Sequence, residues 1–193
     1  YDTFLQLITK AEKQHSIIKY YASDLREYGE LRNAIIHNRA PDSSDIIAEP
    51  HSFVVERMAH IRAMIEHPTK IKDVMTSPVF TVQTTDLLYP TAQTMLKNIY
   101  THVPVYKNDE FAGVLSESAI LRWIGYRVSN NKQLVDTRTL AEIIDWLDES
   151  GNKYNDFEFV PRSTIVLDVK KRFEIALLEG RRLGAVFVTK TGK

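Results

Sequence analysis

Three polar residues in the first third of the chain have types and a spacing suited to acid–base chemistry on a phosphate ester. Arg32 and Asn33 precede His37 by five and four residues. Histidine exchanges a proton near neutral pH, and arginine can stabilise the charge of a phosphorane. On a regular helix, Arg32 and His37 lie about 140° apart around the axis, so they share no face unless the helix is distorted. The alternative is structural: Arg32 and Asn33 bond loop backbone, and His37 is a polar helix end.

A second candidate follows a Val-rich strand. Gly113–Ser116 reads Gly-Val-Leu-Ser and leads into a predicted helix that also carries Ser118. Free amides at a helix start, together with a hydroxyl group, suit a phosphate. Further along, Arg181 and Arg182 could offer bidentate contacts to a phosphate. In the structural alternative, the first group only builds the sheet and the two arginines only occupy an exposed turn.

Composition limits the classes of function. The 193 residues contain 25 basic and 25 acidic side chains and no cysteine. No net field therefore attracts the chain to nucleic acid, and thiol chemistry and disulfides are excluded. No apolar run reaches the roughly 18 residues that a membrane span needs, and the histidines form no HExxH pattern. We expect a cytoplasmic protein without a membrane span and without a metal site.

The N-terminal part, residues 1–68, is predicted to be an all-helical domain. An apolar stripe at steps of four and three predicts one long helix that ends near Gly29. A second helix is predicted at Leu31–His37, and a third at Ser52–Glu66 before His67-Pro68. The stripe runs through Phe4, Ile8, Ala11, His15, Ile18, Ala22 and Leu25. Pro41–Ser44 has the residues of a loop.

The remainder, residues 69–193, contains an imperfect repeat of strand, helix and strand. The first copy spans 69–138 and the second 139–193. The first is predicted to have strands at Val79–Val82, His102–Tyr106 and Phe111–Ser116, helices at Asp86–Asn98 and Ser116–Gly125, and a helix cap at Thr85-Asp86. The second is predicted to have strands at Phe157–Val160 and Leu183–Thr189 and a helix at Thr164–Leu178. The second copy lacks the last strand and the last helix. The chain is therefore predicted to be α+β, with helices first and an incomplete repeat pair after them.

The segment Val103-Pro104-Val105, the turn, and Gly113–Ser116 before a helix resemble a cystathionine-β-synthase (CBS) domain. The repeat pair resembles a Bateman module. This resemblance implies a cleft for an adenine nucleotide or a related adenosyl ligand, such as AMP, ATP, S-adenosylmethionine or a cyclic dinucleotide. It also implies ligand contacts from Val79, Phe80, Thr81, His102, Val103, Pro104, Ser116 and Ser118, with Arg181 and Arg182 as candidates for the phosphate. The family pattern has an aspartate where this chain has Ala119.

The Arg32-Asn33 pair before His37 resembles the Arg-x4–6-His signature of HEPN domains. Those domains are helical and usually dimeric, and many are metal-independent ribonucleases that use the RNA 2′-hydroxyl as nucleophile. The resemblance implies Arg32, Asn33 and His37 as catalytic residues, with a site completed across a dimer.

Three hypotheses follow from the sequence. The favoured one is a regulatory protein that senses a nucleotide through its CBS pair and forms a homodimer through its helical domain. The enzyme alternative is a HEPN-type ribonuclease regulated by the CBS pair, and only this alternative requires RNA as a partner. The third is a structural dimer that binds no ligand.

Overall fold

The computed structural model describes residues 2–37, 48–134, 138–148 and 156–192. The predicted loop at Pro41–Ser44 lies outside these ranges. The fold is α+β, with helices first and two mixed repeats after them, as the sequence predicts. The chain divides into a helical unit, residues 1–73 with 163–170, and a repeat unit, residues 74–162 with 171–193.

In the described part of residues 1–73, four helices lie around one small core. They are α1 (Phe4–Ala11), α2 (Ser16–Tyr20), α3 (Ala22–His37) and α4 (Ser52–Glu66). The prediction of one long first helix is wrong, because the chain turns between α1 and α2 and again before α3. These turns let three short segments of the apolar stripe converge on α4, which a straight helix cannot do. The core consists of Ile8, Ile17, Tyr21, Ala22, Leu25 and Ile61.

Gly29 does not end a helix, which corrects a second expectation. It lies inside α3, where a Cβ atom would lie 2.8 Å from Cδ1 of Phe4. The missing side chain therefore lets the start of α1 lie close against α3. Helix α4 has the predicted bounds, and its Arg57 donates hydrogen bonds to Asp24 that raise the pKa of Arg57 above its ordinary value.

Each repeat begins with a leading segment that pairs with the other repeat's strand-to-helix connection. In the helical unit, Thr69–Ile71 pairs with Thr164–Val166 through backbone hydrogen bonds of 2.7 and 3.0 Å. In the repeat unit, Arg138–Leu140 pairs with Asp86–Leu88 through bonds of 2.8 and 2.9 Å. The first pairing explains why residues 163–170 belong to the helical unit.

The first repeat contains a three-stranded sheet. Its strands are β1 (Val82–Gln83), β2 (His102–Lys107) and β3 (Glu110–Ser116), and its helices are α5 (Leu88–Asn98) and α6 (Glu117–Ser129). Strand β2 lies in the centre, parallel to β1 and antiparallel to β3. A 3₁₀ helix at Leu140–Trp146 adds side chains to the core of this repeat. A shorter 3₁₀ helix lies at Ile71–Asp73 in the helical unit. The core residues are Val82, Leu88, Met95, Val103, Val105, Leu115, Ala119, Trp123, Leu140, Ile143 and Leu147.

The second repeat has β4 (Asp156–Pro161), α7 (Val166–Leu178) and β5 (Leu183–Thr189). Strands β4 and β5 are parallel, and no third strand joins them among the described residues. Phe111 of β3 contacts Phe157 and Phe159 of β4, with ring centroids 5.8 and 5.3 Å apart. Aromatic edge-to-face contacts therefore join the two repeats.

Three local predictions in the first repeat are wrong. The predicted strand Val79–Val82 contributes only Val82, since β1 is Val82–Gln83. The Asp86 carboxylate accepts from the amide of Gln83 and caps no helix, and Leu87 is the N-cap of α5. The first helical amide of α5 instead donates to the second leading segment. Helix α6 also continues past Gly125 to Ser129.

Glycines 113 and 125 allow a matched test of the packing between β3 and the chain after the 3₁₀ helix. Gly113 has φ +148°, and a Cβ there would lie 2.9 Å from Cβ of Leu147, whereas a Cβ at Gly125 would meet nothing within 4 Å. We expect Gly113→Ala to lower the free energy of unfolding by about 2–3 kcal/mol. Gly125→Ala in an exposed helix should raise it by up to about 1 kcal/mol. Urea unfolding measures both, and equal effects would contradict this account.

Candidate functional site

The candidate ligand residues of the first repeat lie at one end of its sheet. In the register of β2 and β3, His102 is the partner of Ser116, so the start of one strand meets the end of the other. Phe80 stacks on Tyr100, with ring centroids 5.7 Å apart. Since Tyr100 lies two residues before β2, the segment around Phe80 reaches this same end. The structure therefore brings the start of β2, the end of β3 and the segment before β1 together.

These residues differ in whether their side chains are accessible. Val79 is 51% exposed, Thr81 is exposed, and Phe80 and His102 are half-buried. Val103 and Pro104 are buried, and Val103 belongs to the hydrophobic core. The two buried residues shape the sheet, while the other four present surface that a ligand could contact.

Ser116 is buried and makes all of its hydrogen bonds within the protein. Its hydroxyl donates to Oδ2 of Asp148 and accepts from the amide of Ala119 at 3.1 Å, which caps α6. The Ser118 hydroxyl lies 2.9 Å away. A serine hydroxyl has one donor and two acceptor positions. Because its proton is given to Asp148, Ser118 must be the donor of the third bond.

Asp148 is the functional candidate that sequence reasoning missed. It is 0% exposed, and its Oδ1 accepts from Nη2 of Arg122 at 2.8 Å. Arg122 also donates to the Trp146 carbonyl at 2.9 Å. Two backbone hydrogen bonds, of 2.8 and 3.2 Å, join Asp148 to Val114. No spacing rule links positions 116 and 148, so only the three-dimensional pairing reveals this contact.

Arg181 and Arg182 stand in different environments. Arg181 follows Gly180, which has φ +69°, and its guanidinium lies 2.9 Å from Glu179 and 3.8 Å from Glu158. Arg182 is exposed and makes no ion pair among the residues that the structure describes. Of the two, Arg182 has the guanidinium that is available to a phosphate.

The two repeats use the position of Arg181 differently. In the first repeat, Tyr100 follows the left-handed residue Ile99, and its amide donates to the carbonyl five residues back, as that of Arg181 does. Tyr100 stacks on Phe80, whereas Arg181 pairs with Glu158. Phe80 and Glu158 each lie two residues before a buried valine of the first strand. An aromatic pair in one repeat thus corresponds to an ion pair in the other.

The residues suggested for ribonuclease chemistry lie near the end of α3. Arg32 and Asn33 are exposed, and Arg32 donates to the Asn33 side chain at 3.2 Å. Helix α3 continues without interruption to His37, whose side chain lies outside the described part. A continuous helix keeps positions 32 and 37 about 140° apart around its axis. The catalytic role of Arg32, Asn33 and His37 stays a prediction.

Among the described residues, no group of three or more His, Asp or Glu side chains is placed to hold a metal ion. No helix in the same ranges is long and apolar enough to cross a membrane.

Comparison with known proteins identifies the first repeat. Residues 71–126 match the model of the CBS domain family, so the chain contains a CBS domain. No curated protein is similar enough to the sequence to count as a match.

Solved structures of CBS proteins are similar to most of the chain. A hemolysin-like CBS protein of Oenococcus oeni is 19% identical over 68% of this chain and 85% of its own, with a TM-score of 0.41. The CBS domain of a membrane protein from Sphaerobacter thermophilus is 19% identical over 72% and 88%, with a TM-score of 0.44. The CBS domain of a bacterial CNNM/CorC family Mg²⁺ transporter, solved with ATP, is 19% identical over 72% and 87%, with a TM-score of 0.42. Similarities at this level assign no ligand to this chain.

The ion pair of Arg122 with the buried Asp148 should matter more for stability than an exposed one. We expect Arg122→Met to lower the free energy of unfolding by about 2 kcal/mol, because it leaves a buried carboxylate without its charged partner. Arg62→Met is the control, since Arg62 pairs with Glu66 on the surface of α4 and should contribute less than about 0.5 kcal/mol. Urea unfolding measures both, and equal losses would show that the buried pair has no special weight.

Proposed function

We propose that this chain is a regulatory protein whose CBS repeats bind an adenine nucleotide or a related adenosyl ligand. The observation that supports this most directly is the CBS domain at residues 71–126, whose sheet ends in an accessible group of side chains. Phe80 and Val79 offer apolar surface to a base, Thr81 offers an exposed hydroxyl group, and half-buried His102 lies at the same end of the sheet. Aromatic and aliphatic side chains with a few polar groups are the usual lining of such sites. Ser116 is left out of this set because its hydrogen bonds are already made.

Arg182 is the proposed phosphate contact. It is exposed, makes no ion pair among the described residues, and follows the turn that ends α7. A free guanidinium binds phosphate through two parallel hydrogen bonds. Arg181, in contrast, is held by Glu179 and Glu158. Ligand binding would then shift the packing of the repeats by a coupling free energy of about 1–3 kcal/mol, the usual range for allostery.

Thermal unfolding with nucleotides tests this proposal. We expect one of AMP, ATP, S-adenosylmethionine or a cyclic dinucleotide to raise the melting temperature, since a ligand at 100 times its Kd stabilises the native state by about 2.7 kcal/mol. Arg182→Ala should remove most of the shift caused by a phosphate-bearing ligand. Arg62→Ala removes an exposed arginine from the helical unit and should leave the shift unchanged. The proposal fails if none of these compounds raises the melting temperature.

We further propose a homodimer that forms through the helical unit. Helix α4 exposes Phe53 by 66% and Val55 by 54%, and α1 exposes Phe4, Leu5 and Leu7. Exposed large apolar side chains are a common feature of interfaces between proteins. A second copy of the chain has the same surface, and the absence of net charge removes general repulsion between copies.

Sedimentation equilibrium tests the dimer. We expect twice the mass of one chain for the unaltered protein and a dissociation constant raised at least tenfold by Phe53→Ser, because that change removes apolar area from the contact. Leu177→Ser is the matched control, since Leu177 is 78% exposed on α7 but lies in the repeat unit. A chain that sediments as a monomer, or equal effects of the two changes, would rule out this interface.

A further inference from the structure

The start of α6 is a place where polar groups converge on one carboxylate. The Ser116 hydroxyl and the Arg122 guanidinium both donate to Asp148, and Ser118 supports Ser116. Helix α6 has 13 residues, so its first amides carry the positive end of a helix dipole. Hydroxyl groups, a guanidinium and a helix start would suit an anionic or polyhydroxyl ligand. Here the side chain that occupies this position belongs to the protein itself.

The hydroxyl group of Ser116 has no hydrogen-bonding capacity left for a second occupant. Ser116 is 2% exposed, and its one donor and two acceptor positions are all used. Both carboxylate oxygens of Asp148 accept from the protein, and the residue is 0% exposed. A ligand could accept the Ser116 proton only by displacing Asp148, which breaks a charge-assisted hydrogen bond to a buried carboxylate and is costly.

The backbone fixes Asp148 in this position. Two backbone hydrogen bonds with Val114 add it to the edge of β3. Arg122 also binds the Trp146 carbonyl, so the last turn of the 3₁₀ helix is held with it. The absence of a side chain at Gly113 gives Leu147 room to lie against the strand. The position of Asp148 is therefore fixed by hydrogen bonds of its main chain as well as by those of its carboxylate.

Ala119 is consistent with this arrangement. Its amide donates to the Ser116 hydroxyl, which in turn donates to Asp148, and Ala119 is 0% exposed. Its side chain packs in the hydrophobic core of the first repeat. An ionised carboxylate at this position would be buried among apolar side chains, which is costly. The small apolar residue at 119 therefore fits a helix start that Ser116 caps and Asp148 closes.

We propose that Asp148 is an internal ligand of the first repeat, which closes the Ser116 position and fastens the connection between the repeats to β3 and α6. The inference rests on the proposed function in one respect only: the nucleotide is recognised without Ser116, through the accessible residues Val79, Phe80, Thr81, His102 and Arg182. The function of Ser116 is then to hold Asp148 and to cap α6.

Ser116→Ala separates the two roles. Nucleotide affinity, measured by titration calorimetry with the compound that stabilises the wild-type protein, should stay within twofold of the wild type. The urea midpoint of the same variant should fall, because a cap and a hydrogen bond to a buried carboxylate are lost. Arg182→Ala should show the opposite pattern, with affinity lowered at least tenfold and an unchanged midpoint. A tenfold loss of affinity in Ser116→Ala with an unchanged midpoint would overturn the proposal.

A second experiment needs no nucleotide, so it judges the internal ligand even if the proposed function fails. Urea midpoints of Ser116→Ala, Asp148→Asn and the double variant form a cycle, and we expect the double variant to lose clearly less than the sum of the two single losses. Additive losses would overturn the proposal. If Asp148→Asn does not fold, hydrogen exchange at the Asp148 amide replaces the cycle. That amide should exchange at least tenfold faster in Ser116→Ala than in the wild type, and an unchanged rate would overturn the proposal.

Discussion

A carboxylate without access to water can be stable only if its charge and its oxygens are met by the protein. Asp148 meets this condition with Arg122 and Ser116, and much of the first repeat is arranged around that requirement. The pairing of its backbone with Val114 fixes where the 3₁₀ helix ends. The same requirement is met at Ser116, the last residue of β3, whose hydroxyl group donates to Asp148 and caps α6. One buried carboxylate is thus bonded to the end of a strand and, through Arg122, to the helix that follows it.

The sequence predicts the regular elements well where periodicity and turn chemistry agree. The bounds of α4 and β5 follow directly from their patterns, and the order of elements in both repeats is as expected. Errors arise where tertiary contacts replace local signals. Gly29 is predicted to end a helix, but in the structure it allows α1 to lie close to α3. Asp86 is predicted to cap α5, but the first amide of that helix donates to the carbonyl of Arg138. In both cases the decisive contact comes from a residue far along the chain, which rules based on neighbouring residues do not include.

The candidate site was predictable only in part. The position of Ser116 at a strand end before a helix follows from the local pattern, and so does its meeting with His102 once the hairpin is assumed. The partner at 148 was not predictable, because a contact across 32 positions depends on which backbone segment lies beside β3. Accessibility was equally hidden. Val79, Val103 and Pro104 are all apolar residues of predicted strands. Val103 and Pro104 are buried in the central strand β2, whereas Val79 lies in the segment before β1 and is exposed.

The two repeats also show how far copies of one unit can diverge while keeping one backbone plan. Phe80 stacks on Tyr100 in the first repeat, whereas Arg181 and Glu158 form an ion pair at the matching positions of the second. Salt screens the attraction between partly exposed charges but has little effect on an aromatic contact. Added salt therefore weakens this contact in the second repeat and leaves its counterpart in the first unchanged.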